Sequence, residues 1–380
     1  MTPHLYIHVP FCDGKCHYCG FYSVSAAPSL TGMYCDLPAQ ELACLCQTHP
    51  LLRHTPPKTI YMGGGTPAML GPDGLRRLYG ALARLVPLAA AEEWTVELNP
   101  QTVTPALLEA LRDIGVNRLT VGIQILDDAT LNRIGRRHNA ETAVQAVRMA
   151  QDAGFRNIGI DLIAGLPGCT ESMWDDTLHR AAGLNVQHVS VYALTLEPET
   201  PLAAQVKQGL ALPDDDAQLS ALAQAESLLA ANGFARYEIS NYARPGHECQ
   251  HNLGIWRGND YIGLGPSAAS RLGRLRWTNN EELSEYIDAG RQSQRPPHTG
   301  ETLSELDDAL ERTLFALRLH EGLDLDANTR RFPALGAHAA GWHARLQRLA
   351  REGITEQAGG RWRLTPRGRE VCDAVLAELV

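Results

Sequence analysis

The chain has 380 residues, of which 44% are hydrophobic and 20% are charged, and its formal net charge is −9. These values are typical of a globular protein with one large domain and an appendage. They argue against a general nucleic-acid binder, because such a protein normally presents a basic face to the phosphate backbone.

The N-terminus has no basic region followed by an apolar segment, and we find no run of about 18 or more apolar residues. We therefore expect a cytoplasmic protein with at most peripheral membrane contact. Nine cysteines in a cytosolic chain indicate metal or catalytic use rather than a disulfide framework. Six of them lack the spacing of metal ligands, and we interpret these as ordinary thiols: Cys35, Cys44, Cys46, Cys169, Cys249 and Cys372.

Short apolar strands alternate with amphipathic helices over about the first 200 residues. The strand patterns lie at residues 5–9, 59–62, 95–98, 118–123, 157–163 and 188–194. The helical patterns between them lie at residues 34–46, 74–85, 105–114, 140–153 and 172–184. Six successive βα units predict a parallel sheet with right-handed crossovers. The predicted fold class is therefore α/β, as a partial (βα)6 barrel that is open on one side.

After about residue 198 the chain changes character. A helical stretch at 214–232 leads into residues 235–268, whose Gly, Asn, His and aromatic residues predict an irregular, ligand-contacting region. A polar stretch at 292–302 predicts a linker. The remainder predicts helices at 305–319, 324–331 and 337–351, a two-strand turn at Gly359-Gly360 and a last helix from Thr365.

This last pattern resembles a winged-helix module. We expect it to dock against other parts or partners rather than to bind DNA, since winged helices often only pack or pair proteins. The chain thus divides into a partial barrel (1–200), an α+β extension (201–300) and a winged-helix-like C-terminal domain (301–380).

Residues that can do chemistry follow the predicted strands, and ligands of parallel α/β sheets lie beyond the carboxyl ends of the strands. The segment YIHVPFCDGKCHYCGFYS (6–23) follows the first strand and carries Cys12, Cys16 and Cys19 with the spacing C-x3-C-x2-C. Thiolates at this spacing can converge on one soft-metal centre. Three ligands leave one iron of a [4Fe–4S] cluster without a protein ligand. A zinc knuckle or reduced structural thiols are the alternatives, but zinc normally needs a fourth protein ligand.

This loop resembles the signature of radical S-adenosylmethionine (SAM) proteins, in which the fourth iron chelates SAM through its amino and carboxylate groups. The flanking sequence resembles the subgroup that contains oxygen-independent coproporphyrinogen III dehydrogenase and the HemW-type heme chaperones. The resemblance covers nearly the whole chain, and the segments YEISNYARPGHECQHN and DYIGLGPSA carry it in the middle. It implies three cofactors or ligands, namely a [4Fe–4S] cluster, SAM and heme.

The resemblance also assigns SAM contacts. Gly64, Gly65 and Thr66 match the element that contacts the methionine moiety of SAM, and glycines let a backbone approach a ligand closely. Glu97 places a carboxylate in a strand, where it needs a partner such as the SAM ammonium or a ribose hydroxyl. A tight βα turn and a structural ion pair are the alternatives. The positions that match the surroundings of the cluster or of a second SAM are Tyr6, Tyr18, Gln124, Arg136 and Asp161; a structural role is the alternative for the last three.

Three features favour the heme-chaperone branch of this subgroup. The cluster motif begins at Cys12, whereas the dehydrogenases carry a longer N-terminal segment that helps to cover their substrate. The dehydrogenases have a further cysteine two residues after the third ligand, where this chain has Phe21. The segment HNLGIW (251–256) resembles the HNxxYW element that is linked to heme binding in HemW-type proteins.

The HNLGIW segment supplies the candidate heme residues. His251 is the candidate axial ligand of the iron, and Trp256 offers an apolar surface to the porphyrin. The tyrosine of the family element is replaced by Ile255. A histidine that is hydrogen-bonded within a structured loop is the alternative for His251, and His247 and Cys249 are alternative iron ligands.

Three functions are compatible with these residues. The first, which we favour, is a heme-binding chaperone that passes heme to an acceptor protein. The second is an oxygen-independent coproporphyrinogen III dehydrogenase, in which SAM cleavage yields the radical that attacks a propionate. The third is a two-SAM radical C-methyltransferase. Whether SAM is turned over stays open, and both a monomer and a homodimer are compatible with the sequence.

Overall fold

The computed structural model describes residues 3–379, and Met1, Thr2 and Val380 lie outside the described residues. The strands, in chain order, are β1 (His4–Val9), β2 (Phe11–Cys12), β3 (Val24–Ser25), β4 (Thr59–Gly64), β5 (Glu93–Leu98), β6 (Arg118–Gln124), β7 (Ile158–Ala164), β8 (His188–Ala193), β9 (Ala235–Arg236), β10 (Asn241–Ala243), β11 (Tyr261–Leu264), β12 (Ala269–Leu272), β13 (Leu275–Asn279), β14 (His298–Thr302), β15 (Thr355–Ala358) and β16 (Arg361–Leu364).

Many helices begin at capping residues that the sequence displays. Thr104 accepts a hydrogen bond from the backbone N–H of Leu107, and Asn139 accepts one from Thr142. The α-helices, in chain order, are α1 (Pro28–Tyr34), α2 (Leu37–Thr48), α3 (Gly71–Ala83), α4 (Pro105–Asp113), α5 (Asp128–Arg133), α6 (Ala140–Asp152), α7 (Glu171–Ala182), α8 (Pro201–Lys207), α9 (Asp215–Ala231), α10 (Gln250–Trp256), α11 (Leu283–Arg291), α12 (Glu305–Phe315), α13 (Leu325–Arg331), α14 (Gly336–Arg351), α15 (Pro366–Glu370) and α16 (Cys372–Leu379).

The strands β1, β4, β5, β6, β7 and β8 lie side by side in this order, and each is parallel to its neighbours. The helices between them connect successive strands of the same sheet. The α/β class and the six parallel strands predicted from the sequence are therefore confirmed. The predicted strand ends lie within two residues of the observed ones, and the short helix α5 was missed.

Side chains alternate between the two faces of the parallel strands, because successive residues of a strand point to opposite sides. In β1 the apolar Leu5, Ile7 and Val9 belong to the core between the sheet and the helices. The intervening His4 and His8 are also buried, on the other face. The inner face of β1 is thus lined by polar side chains.

Both edges of the parallel sheet are extended by strands from the middle of the chain. β11 pairs in parallel with β1, and β12, β13 and β14 continue the sheet in antiparallel fashion. On the other edge β10 pairs with β8 and β9 pairs with β10. Residues 235–268, predicted to be irregular, thus contain β9, β10, α10 and β11, and residues 298–302 of the predicted linker form β14. These strands are short and pair with distant segments, so a local pattern does not reveal them.

The C-terminal helices pack around a core of their own, formed by residues such as Leu317, Trp342 and Trp362. The antiparallel strands β15 and β16 join at Gly359 and Gly360, which both have positive φ angles as a tight hairpin turn requires. This hairpin confirms the predicted two-strand turn. Among the helices of residues 3–379, none combines the length and the apolar character that crossing a lipid bilayer requires.

A buried carboxyl on α2 holds the extension of the sheet in place. Glu41 accepts hydrogen bonds from the Tyr286 hydroxyl (2.7 Å), the Gly265 backbone N–H (2.9 Å) and the Asn279 side-chain amide (2.6 Å). These partners lie on α11, after β11 and on β13. Burial raises the pKa of Glu41 from its ordinary 4.5 to about 7.

The Glu41 carboxyl should make stability depend on pH. Because its folded-state pKa is raised, the folded chain binds this proton more tightly than the unfolded chain, and the free energy of unfolding should fall as pH rises through about 5 to 7. The variant Glu41→Gln should lack this component. Chemical denaturation across this pH range measures it, with the exposed Glu285→Gln as control. If the free energy of unfolding had the same pH dependence in the wild type and in Glu41→Gln, the raised pKa of Glu41 would be contradicted.

Candidate functional site

The cysteine loop leaves the carboxyl end of β1 and is closed at its base by the small parallel pair β2 and β3. Backbone bonds tie the two sides of the loop together, from Val24 N–H to the Pro10 carbonyl (2.8 Å) and from Ala26 N–H to the Cys12 carbonyl (3.2 Å). The loop therefore lies at the end of the sheet where parallel α/β folds bind ligands, as the sequence predicts.

The three cysteines of this loop are free and half-buried. The backbone N–H of Cys19 donates to the carbonyl of Cys16 (3.2 Å), which closes the turn between these two residues. The Arg136 guanidinium lies 3.5 Å from the sulfur of Cys16, and the Thr66 hydroxyl lies 3.5 Å from the sulfur of Cys12. Burial raises the pKa of the Cys19 thiol, and the nearby Cys16 and Cys12 add to this shift.

The donor set of this loop fits an iron–sulfur cluster. Within residues 3–379, no group of three or more His, Cys, Asp or Glu side chains is close enough together to hold one metal ion. A [4Fe–4S] cluster binds its cysteines through different irons, so the sulfurs do not have to meet at one point. Soft thiolate ligands, with donors near the sulfurs, are the surroundings that such clusters require.

The glycine run at the end of β4 packs so closely that side chains would clash. A Cβ atom on Gly63 would lie 2.4 Å from a carboxylate oxygen of Glu97, and one on Gly64 would lie 2.4 Å from Nδ1 of His8. Gly64 also has a φ of +96°, which side chains disfavour. A Cβ on Gly65 would meet the backbone of the turn after β1 at 2.6 Å. Glycines at these positions therefore let the end of β4 pack directly against His8, Glu97 and the turn after β1, beside the cysteine loop.

Glu97 lies between this glycine run and the inner face of the sheet. Its carboxylate accepts hydrogen bonds from the Tyr61 hydroxyl (2.7 Å) and the Gly64 backbone N–H (3.3 Å). Burial raises its pKa to about 7, and the charge of Asp161 adds to this shift. A cationic group bound beside Glu97 would lower this pKa again, because an opposite charge stabilises the carboxylate.

The other predicted SAM residues line the same end of the sheet. Asp161 is half-buried and accepts from the Thr120 hydroxyl (3.3 Å), and burial raises its pKa. Gln124 has a φ of +68° at a bulge that ends β6. The Tyr6 hydroxyl lies 3.1 Å from Nδ1 of His8.

Tyr18 packs against a separate apolar cluster that includes Ile134 and Leu166. Burial raises its pKa, whereas the neighbouring Arg136 lowers it. The structure thus brings this tyrosine, the cysteines, the glycine run and Arg136 together at one end of the barrel.

Sequence reasoning missed one residue that connects this site. The Asn99 amide donates to the Thr66 hydroxyl (2.8 Å), and its carbonyl oxygen accepts from Arg136 (3.1 Å). Asn99 therefore joins the end of the glycine run to the guanidinium beside Cys16. The signal was present, since Asn99 comes directly after a predicted strand, two residues beyond Glu97.

His251 lies at the opposite end of the strands. The backbone N–H groups of Gln250 and His251 donate to the Glu93 carboxylate (both 3.0 Å), at the start of β5. Nδ1 of His251 lies 2.8 Å from the hydroxyl of Thr59, at the start of β4, and this hydroxyl lies 2.7 Å from Nδ1 of His4. His251 is 6% exposed, and burial lowers its pKa to about 3. The helix α10 therefore closes the base of the barrel.

The structure does not bring the candidate heme residues to the cysteine loop, nor does it place them on one surface. The half-buried Trp256, at the end of α10, lies against Phe315, with ring centroids 5.6 Å apart, and under the guanidinium of Arg318 (4.6 Å). Cys249 is buried, and burial raises its pKa to about 12. Among these residues His247 is partly exposed. Tyr61 connects His251 to the cluster end, since its ring centroid lies 5.1 Å from that of His251 and its hydroxyl donates to Glu97.

Two family profiles match this chain. One is described as the Radical SAM superfamily and covers residues 6–181, and the other is described as the HemN C-terminal domain and covers residues 303–371. A heme chaperone HemW from Mycobacterium tuberculosis is 35% identical over 99% of this chain and 94% of its own length. The chain belongs to the HemW family of radical SAM proteins. A second HemW relative, from Bacillus subtilis, is 32% identical over 98% of this chain and 99% of its own length.

The fold of this HemW-family chain is also that of a solved structure. Coproporphyrinogen III oxidase (HemN) from Escherichia coli, a radical SAM enzyme, matches with a TM-score of 0.85 and 25% identity over 100% of this chain and 90% of that chain. The predicted family and fold are thereby confirmed. Membership of the radical SAM superfamily also confirms two predicted cofactors, the [4Fe–4S] cluster and SAM.

Removing any one of the three loop cysteines should abolish the cluster, because two thiolates do not hold it. Cys12→Ala, Cys16→Ala and Cys19→Ala should therefore lose the iron and sulfide that anaerobic reconstitution gives the wild type, about four of each per chain. Cys44→Ala, which changes a partly exposed thiol outside the loop, serves as control and should keep them. Unchanged iron and sulfide contents in the three loop variants would refute the assignment.

Replacing His251 should destabilise the barrel base in the absence of any heme. His251→Ala removes a buried ring and leaves the Thr59 hydroxyl with one partner fewer, which should lower the free energy of unfolding by about 2 to 4 kcal/mol. His247→Ala, four residues earlier and partly exposed, should cost much less. Denaturant titration of heme-free protein measures both changes. Equal and small losses of unfolding free energy in the two variants would show that His251 does not stabilise the base of the barrel.

Proposed function

We propose that this protein is a heme-binding chaperone on a radical SAM scaffold, which takes up heme and passes it to an acceptor protein. The observation that carries the proposal is similarity over nearly the whole chain to proteins named heme chaperone HemW. The Mycobacterium tuberculosis relative aligns over 99% of this chain. The similarity therefore includes the cysteine loop, the α10 helix and the C-terminal domain together.

In this proposal the cluster end of the barrel binds the radical SAM cofactors. Cys12, Cys16 and Cys19 would hold the [4Fe–4S] cluster. Gly64, Gly65, Thr66 and Glu97 would hold the SAM methionine moiety. The remaining space would be lined by Tyr6, Tyr18, Gln124, Arg136 and Asp161. When bound, the cluster supplies an electron and an open iron for SAM. Glu97 would face the SAM ammonium, and Asn99 and Arg136 would keep the cluster loop on the sheet.

The heme itself would be held at the other end of the barrel, near α10. Ligation of the iron by His251 requires α10 to move away from the barrel base, because this ring is buried against Thr59 and Tyr61. Trp256 would contact the porphyrin. Unlike His251, which is buried, Trp256 is half-buried at the boundary with the C-terminal domain. We place the transfer in the cytoplasm, with heme and a heme-accepting protein as partners, and with the chain as a monomer or homodimer.

The second candidate function is that of the HemN enzyme, since the fold matches with a TM-score of 0.85 over the whole chain. Phe21 favours the chaperone instead. It occupies the position of the further cysteine in the dehydrogenase motif, is 70% exposed and offers no metal-binding atom.

An anaerobic heme titration of the cluster-reconstituted protein tests the proposal. We expect the Soret band to saturate near one heme per chain, and we expect added heme to leave the protein when an apo-hemoprotein is supplied as acceptor. In the same preparation, coproporphyrinogen III with SAM and reductant should yield no stoichiometric protoporphyrinogen. SAM alone should yield no S-adenosylhomocysteine.

The opposite results separate the alternatives. Absence of a saturable heme site would end the chaperone proposal while leaving the radical SAM scaffold intact. Stoichiometric formation of protoporphyrinogen would favour the dehydrogenase. Formation of S-adenosylhomocysteine together with a methylated product would favour the methyltransferase.

A further inference from the structure

A cavity of about 340 Å³ lies where the end of α10 meets the C-terminal domain. Arg257, which lines this cavity, directly follows Trp256 in the chain. The cavity therefore adjoins the end of the HNLGIW segment. Its principal lining side chains are Arg257, Arg312, Leu319, Arg331, Phe332 and Arg361.

Positive charge is concentrated in this cavity, although the chain as a whole carries a formal net charge of −9. Four arginines line it, against two carboxylates, Glu321 and Asp324. Arg257 is neutralised by Glu321 through two hydrogen bonds of 3.0 and 3.1 Å. Arg312 is neutralised by Asp308 (2.9 Å), outside the cavity. Two of the four guanidiniums are thus already paired with carboxylates.

The other two guanidiniums are not paired in this way. Within residues 3–379, no carboxylate oxygen lies within ion-pairing distance of Arg331 or Arg361. Arg361 donates to the Gly322 carbonyl (3.0 Å), and Arg331 lies over the ring of Phe332, 4.9 Å from its centroid. A guanidinium is the side chain that best recognises carboxylates, because its donors match the two oxygens. The cavity therefore offers two guanidiniums that form no close ion pair, beside an aromatic ring.

We propose that this cavity binds the propionate edge of heme, with Arg331 and Arg361 each holding one carboxylate. Phe332 and Leu319 supply apolar contact for the adjoining porphyrin edge. The inference rests on the proposed heme-binding function and locates the site for the propionate groups of the heme. The lining contains no His, Cys, Met or Tyr, so the cavity holds the carboxylates and leaves the iron to a ligand elsewhere.

Comparing heme with its dimethyl ester tests this site, because the ester lacks both carboxylate charges. The cluster-reconstituted full chain should bind heme more tightly than the ester. Arg331→Ala and Arg361→Ala should each weaken heme binding by about tenfold, as the loss of a charged hydrogen bond predicts, and should leave ester binding unchanged. Arg330→Ala, an exposed neighbour that does not line the cavity, should bind both ligands like the wild type.

Lysine replacements keep the inference testable if an alanine variant folds poorly. Arg331→Lys and Arg361→Lys preserve the charge and should retain part of the preference for heme over the ester. The inference is overturned if the alanine variants lose heme and ester binding equally, or if they lose neither while the wild type binds heme. In that last case the chaperone proposal stands. A wild type without a saturable heme site overturns both.

Discussion

The structure depends on one constraint, which is that the inner face of a parallel sheet is polar and yet buried. Polar groups removed from water must find hydrogen-bond partners or ligands. At the base of the barrel this need is met by the protein itself. Arg118 is 2% exposed and donates to the Thr95 hydroxyl, and the Glu93 carboxylate accepts from the first backbone N–H groups of α10. The position of α10 follows from these bonds.

The two ends of the barrel meet the constraint in different ways. At the base, Gly254 lets α10 approach so closely that a Cβ atom there would lie 2.2 Å from Nε2 of His4. At the carboxyl ends of the strands, the glycine run and the cysteine loop leave polar groups such as Glu97 with few protein partners. Burial raises the pKa of Glu97 to about 7. Protein groups close the base of the barrel, whereas cofactors complete the site at the carboxyl ends of the strands.

The same constraint explains why the HNLGIW segment has two faces. His251 satisfies polar groups inside the barrel, whereas Trp256 and Arg257 face the C-terminal domain. The segment therefore joins the barrel base to the arginine-lined cavity. The C-terminal domain is held nearby by a further ion pair, in which Glu226 of α9 accepts from Arg369 of α15 (2.6 Å). A ligand in the cavity would contact both parts at once.

The sequence by itself determined the six βα units, the cysteine loop, the glycine run and the order in which they follow the strands. These features are local, since a strand, a turn or a cap depends on residues within a few positions of one another. Only the tertiary structure decided that β11 pairs with β1, that Asn99 joins Thr66 to Arg136, and that His251 is buried against Thr59. These contacts join residues that are distant in the chain, and the short segments that make them carry no periodicity of their own. The burial of a side chain and its hydrogen-bond partners depend on which distant segments pack together. The contacts at the base of the barrel therefore could not be predicted from the residue pattern.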